Sequence, residues 1–347
     1  MLKLTFDRAS FLVAASLLAP AACALAACRG QVSLGGNEDG GPQPVVGQDS
    51  GYPGPDSGYP GADGGLGGDD AAPSADSSTD GSVHPPDGCT GRVYGSECVL
   101  TLAQNQINAR ALAAAGMDVY WLISACAGAP CAMSASSYAD GVTTVLGNVP
   151  SANLGSLAVG GDEVYWTNTA TANIQSVSTS GGAVADIDVG DAGVSGYGLA
   201  VNQTTLYFLT GPSDGASGSI ASMPIAGGTP TIVASGLSSP AALNVVGSSL
   251  YWLDTADGYV MTMPTTGGHA LADLSGITGA TGLAVDGTNA YWITRTVPAA
   301  LMRAPLSGDG PVVTLYTEEE LDAVAVDANN VYVTDSMAGN VYAISPK

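Results

Sequence analysis

The chain is poor in positive charge. Lys and Arg number 8 in 347 residues, against 31 Asp and Glu, for a formal net charge of −23. A chain so short of cations cannot neutralise a run of phosphates, which excludes nucleic acid as a partner. It also excludes adsorption to anionic lipid through a basic face. An acidic surface instead keeps a protein dissolved, and a monomer is expected. Histidine is scarcer still: of two, only His269 lies beyond residue 88, directly after a Gly-Gly pair. A histidine in such a turn is solvated, and no Ser-His-Asp constellation can be assembled. No catalytic residue, metal or cofactor is expected on these grounds.

The uncharged run Ala9–Cys28 follows Lys3 and Arg8 and ends in small residues. This is the pattern of a secretory signal peptide. Its end, Leu25-Ala26-Ala27-Cys28, resembles the lipobox of bacterial lipoproteins. The resemblance implies cleavage before Cys28, leaving residues 1–27 as signal peptide, and lipidation of the Cys28 thiol. Several acyl chains make a durable anchor where a single one binds marginally. Arg29, rather than Asp, after the lipidated residue favours the outer membrane of the cell envelope.

Residues 28–88 are built mainly of Gly, Pro, Asp, Ser and Ala without an apolar period. Such a segment buries too little to offset its ordering entropy, so a disordered tether is expected. As a flexible coil it spans roughly 40–45 Å. Ten acids are scattered there among glycines, which reads as a solvated linker rather than a metal site.

Beyond residue 88 one decapeptide recurs: LAAAGMDVYW from Leu112, LAVGGDEVYW from Leu157, LAVNQTTLYF from Leu199, LNVVGSSLYW from Leu243, LAVDGTNAYW from Leu283 and VAVDANNVYV from Val324. The spacings are 45, 42, 44, 40 and 41 residues. A period of this size in a β-rich chain marks a propeller blade. Each repeat continues into a second hairpin, turned at Gly181-Gly182, Gly227-Gly228, Gly267-Gly268, Asp140-Gly141 or Ser307–Gly310. Four strands per blade follow, and the fold class is an all-β six-bladed propeller over residues 89–347. The sixth repeat ends after its third strand, at VYAISPK. The orphan segment CVLTLA, Cys98–Ala103, is expected to complete that blade and close the ring. The Tyr-Trp pairs at 120–121, 165–166, 251–252 and 291–292 are expected to pack between blades.

VYWTN, LYWLD, AYWIT and VYVTD resemble the YWTD repeats of six-bladed propellers of the low-density-lipoprotein-receptor class. The closing Asp survives as Asp254 and Asp335, with Asn168 close to it. In that family the Asp helps tie blades together, which implies less regular ties here. Its members mostly bind proteins.

Cys89 and Cys98, and Cys126 and Cys131, form close pairs without zinc-type spacing; in an exported protein both pairs are expected to be disulfides. Residues two and four before each repeat should line one mouth of the central channel. They include Arg110, Tyr197 and Asp322, and Asn108, Asn153 and Glu320. A cation and carboxylates facing one cavity suit a polar ligand. Both acids lie on one blade, whereas a hard cation wants carboxylates converging from several directions. Glu318-Glu319-Glu320 reads as a solvated acidic loop. The expectation is a lipid-anchored envelope propeller that acts as a binding or scaffold module for a protein or polar ligand. The alternative is a lactonase-like hydrolase or lyase with a central-channel metal.

Overall fold

Strand two of each repeat, for example EVYWTN, is buried along almost its whole length. A strand covered on both faces must lie between two apolar layers, and the ring supplies them. The computed structural model describes residues 89–123, 131–137, 142–149, 154–211 and 217–347. All of them fall in one unit, Ser77–Lys347.

The chain enters through β1 (Arg92–Tyr94) and β2 (Glu97–Ala103). Blade one is β3 (Ala109–Ala115), β4 (Asp118–Ile123), β5 (Cys131–Ser137) and β6 (Thr143–Val149). Blade two is β7 (Leu154–Gly160), β8 (Glu163–Asn168), β9 (Asn173–Ser178) and β10 (Ala185–Ile187). Blade three is β11 (Leu199–Val201), β12 (Thr205–Thr210), β13 (Ser217–Pro224) and β14 (Thr231–Ser238). Blade four is β15 (Pro240–Val246), β16 (Ser249–Asp254), β17 (Tyr259–Pro264) and β18 (Leu271–Ser275). Blade five is β19 (Ala280–Val285), β20 (Asn289–Thr294), β21 (Ala299–Pro305) and β22 (Val313–Glu318). Blade six takes β23 (Ala323–Val326), β24 (Val331–Asp335) and β25 (Asn340–Ser345) from the C-terminus. Every pairing is antiparallel, and the helical content is a single 3₁₀ turn at Gly190–Ala192 among the described residues.

The expected closure is present. β2 pairs β25, with Val99 opposite Ile344 and Leu100 opposite Ala343. The strand starts at Glu97, one residue before the sequence reading. That reading missed β1, which adds a fifth strand outside β2. Cys89 and Cys98 are bonded across the entry, with Cα atoms 5.6 Å apart. The second pair, Cys126 and Cys131, lies outside what is described, since Cys126 and the side chain of Cys131 are not.

β1 also corrects the acidic run. Glu318 is not loop but the end of β22, where Arg92 pairs with it at 2.9 Å and Tyr316 donates to it. Tyr94 hydrogen-bonds Thr317 at 2.8 Å and stacks edge-on against Tyr316. The entry hairpin is thereby fastened to blade five.

Alternation along strand two explains the repeated aromatic pair. Neighbouring residues on a strand face opposite ways. Trp166 enters the interface of blades one and two, beside Met133, Val149 and Val177. Tyr165 enters the next interface, beside Leu199, Phe208 and Met223. Each of the six interfaces has such a cluster, and Trp121, Trp166, Trp252 and Trp292 are all buried. The glycine pairs at 181, 227 and 267 turn their hairpins with nearly the same positive φ values, 84° and 144°, 89° and 140°, 87° and 136°. That left-handed backbone is one that glycine adopts without a side-chain penalty.

The tyrosine of the pair is also tied to its own hairpin. Asp286 accepts the backbone N–H groups of Thr288 and Asn289 on one oxygen and the Tyr291 hydroxyl on the other. Asp327 repeats this with Asn329, Asn330 and Tyr332. Asp254 and Asp335, the residues in the YWTD position, accept N–H groups from the turns that follow them. They shape local turns by these bonds.

Lys347 joins the last residue of the chain to Asp286 at 2.8 Å. Burial alone would raise the Asp286 carboxyl. Lys347, the two N–H groups and the Tyr291 hydroxyl outweigh it and hold it down to about 2. A carboxyl lowered in the folded state stabilises the fold above its ordinary range and loses that contribution as pH falls through the folded value. Asp286→Asn is therefore expected to lower the melting midpoint at pH 7. The gap from the parent should narrow as pH falls from about 4 to about 2. Parallel thermal melts across that range check it; a gap independent of pH contradicts the assignment.

Candidate functional site

The six inner strands, β3, β7, β11, β15, β19 and β23, surround a central channel of about 610 Å³. Its wall is mostly small or aliphatic, because the second residue of the repeat is alanine in five blades. Blade four has Asn244 there. Its amide donates to Ala242 O at 2.9 Å and to Leu283 O of blade five at 3.0 Å. It thus satisfies a carbonyl on a strand edge that has no neighbouring strand.

The polar chemistry gathers at one mouth, and a β-bulge places Arg110 there. In blade one Ala109 faces Ile123 and Ala111 faces Leu122, so Arg110 is left without a partner on β4. In blade five the same slip leaves Thr281 unpaired, between Ala280 opposite Thr294 and Gly282 opposite Ile293. Blade two shifts register across the same position, between Leu154 and Leu157, whereas blade four shifts just after it, with Ala241 still facing Leu253. A bulge adds one residue and re-aims its side chain. In blades one, two and five the position two before the repeat is therefore released from the ladder, and in all six blades that position lines the channel. In blade two this residue is Gly155, and it has to be small. A Cβ there would lie 2.5 Å from Gly196 O and 2.4 Å from Thr167 Oγ1.

Arg110, Tyr197 and Asp322 all line the channel, as expected from sequence. Glu320 and Asn108 are not among its lining residues. Their position, four before the repeat, lies outside the bulge. Asn153 falls outside the described residues. Asp322 is positioned twice: its N–H donates to Thr334 O at 2.9 Å, and one carboxylate oxygen accepts the Ser336 N–H at 3.1 Å. Behind it, burial pushes the Asp335 carboxyl upward; the Ala338 and Met337 N–H groups pull the other way, and the charges of Glu318 and Asp322 add to the rise.

The sequence reading missed Arg295. It follows β20, and its N–H donates to Gly279 O at 3.4 Å, which brings it to the same mouth. A signal was available. The residue after strand two's tetrad is Ser124, Thr169, Gly211, Thr255 and Ser336 in the other blades, all small, and arginine in blade five alone.

Arg295, Asp322 and Arg110 belong to blades five, six and one, which are consecutive around the ring. One carboxylate and two guanidinium groups lining the same channel do not make a seat for a hard cation, which needs several oxygen donors. Among the described residues no three His, Cys, Asp or Glu come together as metal ligands. His269 is exposed in its turn.

No family model and no curated protein matches the chain. Its fold is similar to solved structures at low identity. A Bacteroides thetaiotaomicron VPI-5482 protein of unknown function is 14% identical over 72% of this chain and 76% of its own, with a TM-score of 0.57. A chain of a nidogen/laminin complex is 18% identical over 62% and 85%, with a TM-score of 0.51. A calcium-binding protein, regucalcin, from Agrobacterium tumefaciens str. C58 is 15% identical over 71% and 94%, with a TM-score of 0.50. By these likenesses and its own six sheets, the described part of the chain is a six-bladed β-propeller.

Proposed function

We propose that this chain is a binding module of the bacterial cell envelope, anchored by lipid on Cys28, reaching outward on the tether of residues 28–88 and taking its ligand at the channel mouth. One observation carries the reading. The open channel gathers Arg110, Arg295, Asp322 and Tyr197 on loops and bulges of a rigid frame. Concave sites with a few convergent polar groups are where ligands bind. Tyr197 is 45% exposed although aromatic, and Val297 on the loop after Arg295 is 96% exposed. The loop face thus presents apolar surface beside its charges. The nidogen/laminin neighbour is itself a complex of two proteins. The regucalcin neighbour is named as calcium-binding, and the two-arginine mouth here gives no support to a hydrolase that works through a channel metal.

Hydrogen exchange on the purified full chain, with and without an extract of its native envelope, tests this reading. Slower exchange confined to the mouth ends of β3, β19 and β23 is the expected result. Unchanged exchange, or protection only on the outer strands β14 and β18, overturns it.

A further inference from the structure

Cations are the rarest charged groups in this protein, and their placement is informative. Five fall among the described residues: Arg92, Arg110, Arg295, Arg303 and Lys347. Arg92 is paired with Glu318 and Lys347 with Asp286. Arg110 and Arg295 line the channel, and neither makes an ion pair among the described residues. In a chain of net charge −23, acids are at hand to neutralise any arginine. Two guanidinium groups lining one cavity give it a local positive potential that favours an anion there.

The repeat makes the same point independently. Six blades impose one residue type on each column where packing decides, as the alanine of the inner strand shows. The two columns that contain Arg110 and Arg295 hold Gly, Tyr, Ala, Thr and Asp, and Ser, Thr and Gly, in the other blades. Packing therefore does not demand arginine at either place. Both side chains are exposed to the channel's solvent. Arg110 is also the residue that the bulge of blade one releases from its strand pairing.

We propose that the mouth is a carboxylate site for a small organic acid. Arg110 and Arg295 hold the ligand's carboxylates from either side of blade six, and Asp322 between them accepts a hydrogen bond from the ligand's ammonium or hydroxyl. The ligand class is an amino- or hydroxy-dicarboxylate. Guanidinium suits this role because its planar fork grips a carboxylate with two N–H donors. Alternating charges across three consecutive blades match a molecule with acids at both ends and a donor between. The proposal rests on the mouth being the ligand face.

The test exploits the scarcity of arginine. The chain has six, so the guanidinium Nε–Hε region of its NMR spectrum is countable, and Arg110→Gln and Arg295→Gln assign two of the signals. The probe is L-glutamate, added to the full chain at up to about 10 mM, enough to fill most of a site with a millimolar Kd. The Arg110 and Arg295 signals are expected to move and saturate together while Arg92 and Arg303 stay in place. Either glutamine variant should weaken the apparent affinity about tenfold or more, the loss typical of a hydrogen bond to a charged group. Glutaramide, which lacks the carboxylates, should move neither signal, and glutarate, which lacks the ammonium, should bind more weakly than glutamate. Thermal melts of both variants verify that the ring is intact. Static Arg110 and Arg295 signals, or equal shifts at all arginines, overturn the proposal. Static signals together with mouth protection by envelope extract refute the carboxylate assignment alone; static signals without that protection refute the binding reading as well.

Discussion

Deletion of Cys98–Leu102 is expected to abolish the cooperative thermal unfolding of the whole ring. The segment is most of β2, which lies between β1 and β25 in blade six. Val99 is buried in the cluster joining blade six to blade five, with Leu315, Leu321 and Tyr316. Leu102 is buried in the cluster joining blade six to blade one, with Trp121 and Tyr332. The deletion therefore opens two interfaces at once. It also leaves the backbone groups of β25 without their ladder and breaks the Cys89–Cys98 link. Each large side chain contributes about 1.5–3 kcal/mol by burial. The lost ladder adds to this, and the net stability of a domain is only about 5–15 kcal/mol. An open array would fray from its new ends, whereas a closed ring has none. Circular dichroism against temperature decides the matter. A transition of normal steepness within a few degrees of the parent midpoint would mean that five blades and a three-stranded sixth hold without closure.

Trp166→Ala is expected to cost about 3–5 kcal/mol, the range for removing a buried large aromatic. Trp166 is fully buried in the interface of blades one and two. Its indole N–H donates to Gln175 Oε1 at 3.0 Å, an oxygen that also takes the Asn168 amide. The substitution leaves a cavity between two sheets whose backbones are fixed by their own ladders, so collapse is limited. Val297→Ala, at a side chain 96% exposed on the loop face, is the control and should change stability by less than about 0.5 kcal/mol. Urea denaturation of the two variants gives the comparison. Similar midpoints for both would show that the repeated tryptophan is not a structural wedge.

The spacing of the repeats and the truncated last blade were enough to count blades, assign four strands to each and infer closure, because period-two burial and glycine turns are local properties. The same pattern placed Trp121, Trp166, Trp252 and Trp292 in the packing. It missed β1, whose three residues carry no apolar alternation and are held by Arg92 and Tyr94 reaching residues more than two hundred positions away. It also took Glu318 for a solvated acid, since nothing near it in sequence reveals Arg92. Half of the candidate mouth residues line the channel because the repeat register carries them there. Glu320 and Asn108 were counted by offset alone, and the offset does not show that both precede their inner strands, β23 and β3.

Local chemistry along the chain thus determined the architecture: six near-copies of a strand pattern, each too small to bury its faces alone, with a terminal strand left over to shut the ring. The repeat register already carried Arg110 and Asp322 to the mouth, whereas the arrival of Arg295 beside the channel was decided by tertiary structure. Arg110, Arg295 and Asp322 are far apart in sequence and meet because ring closure sets blade six between blades five and one, and because a bulge turns Arg110 out of its ladder. A bulge depends on the exact register between two paired strands, which the residue order shows only through the completed fold.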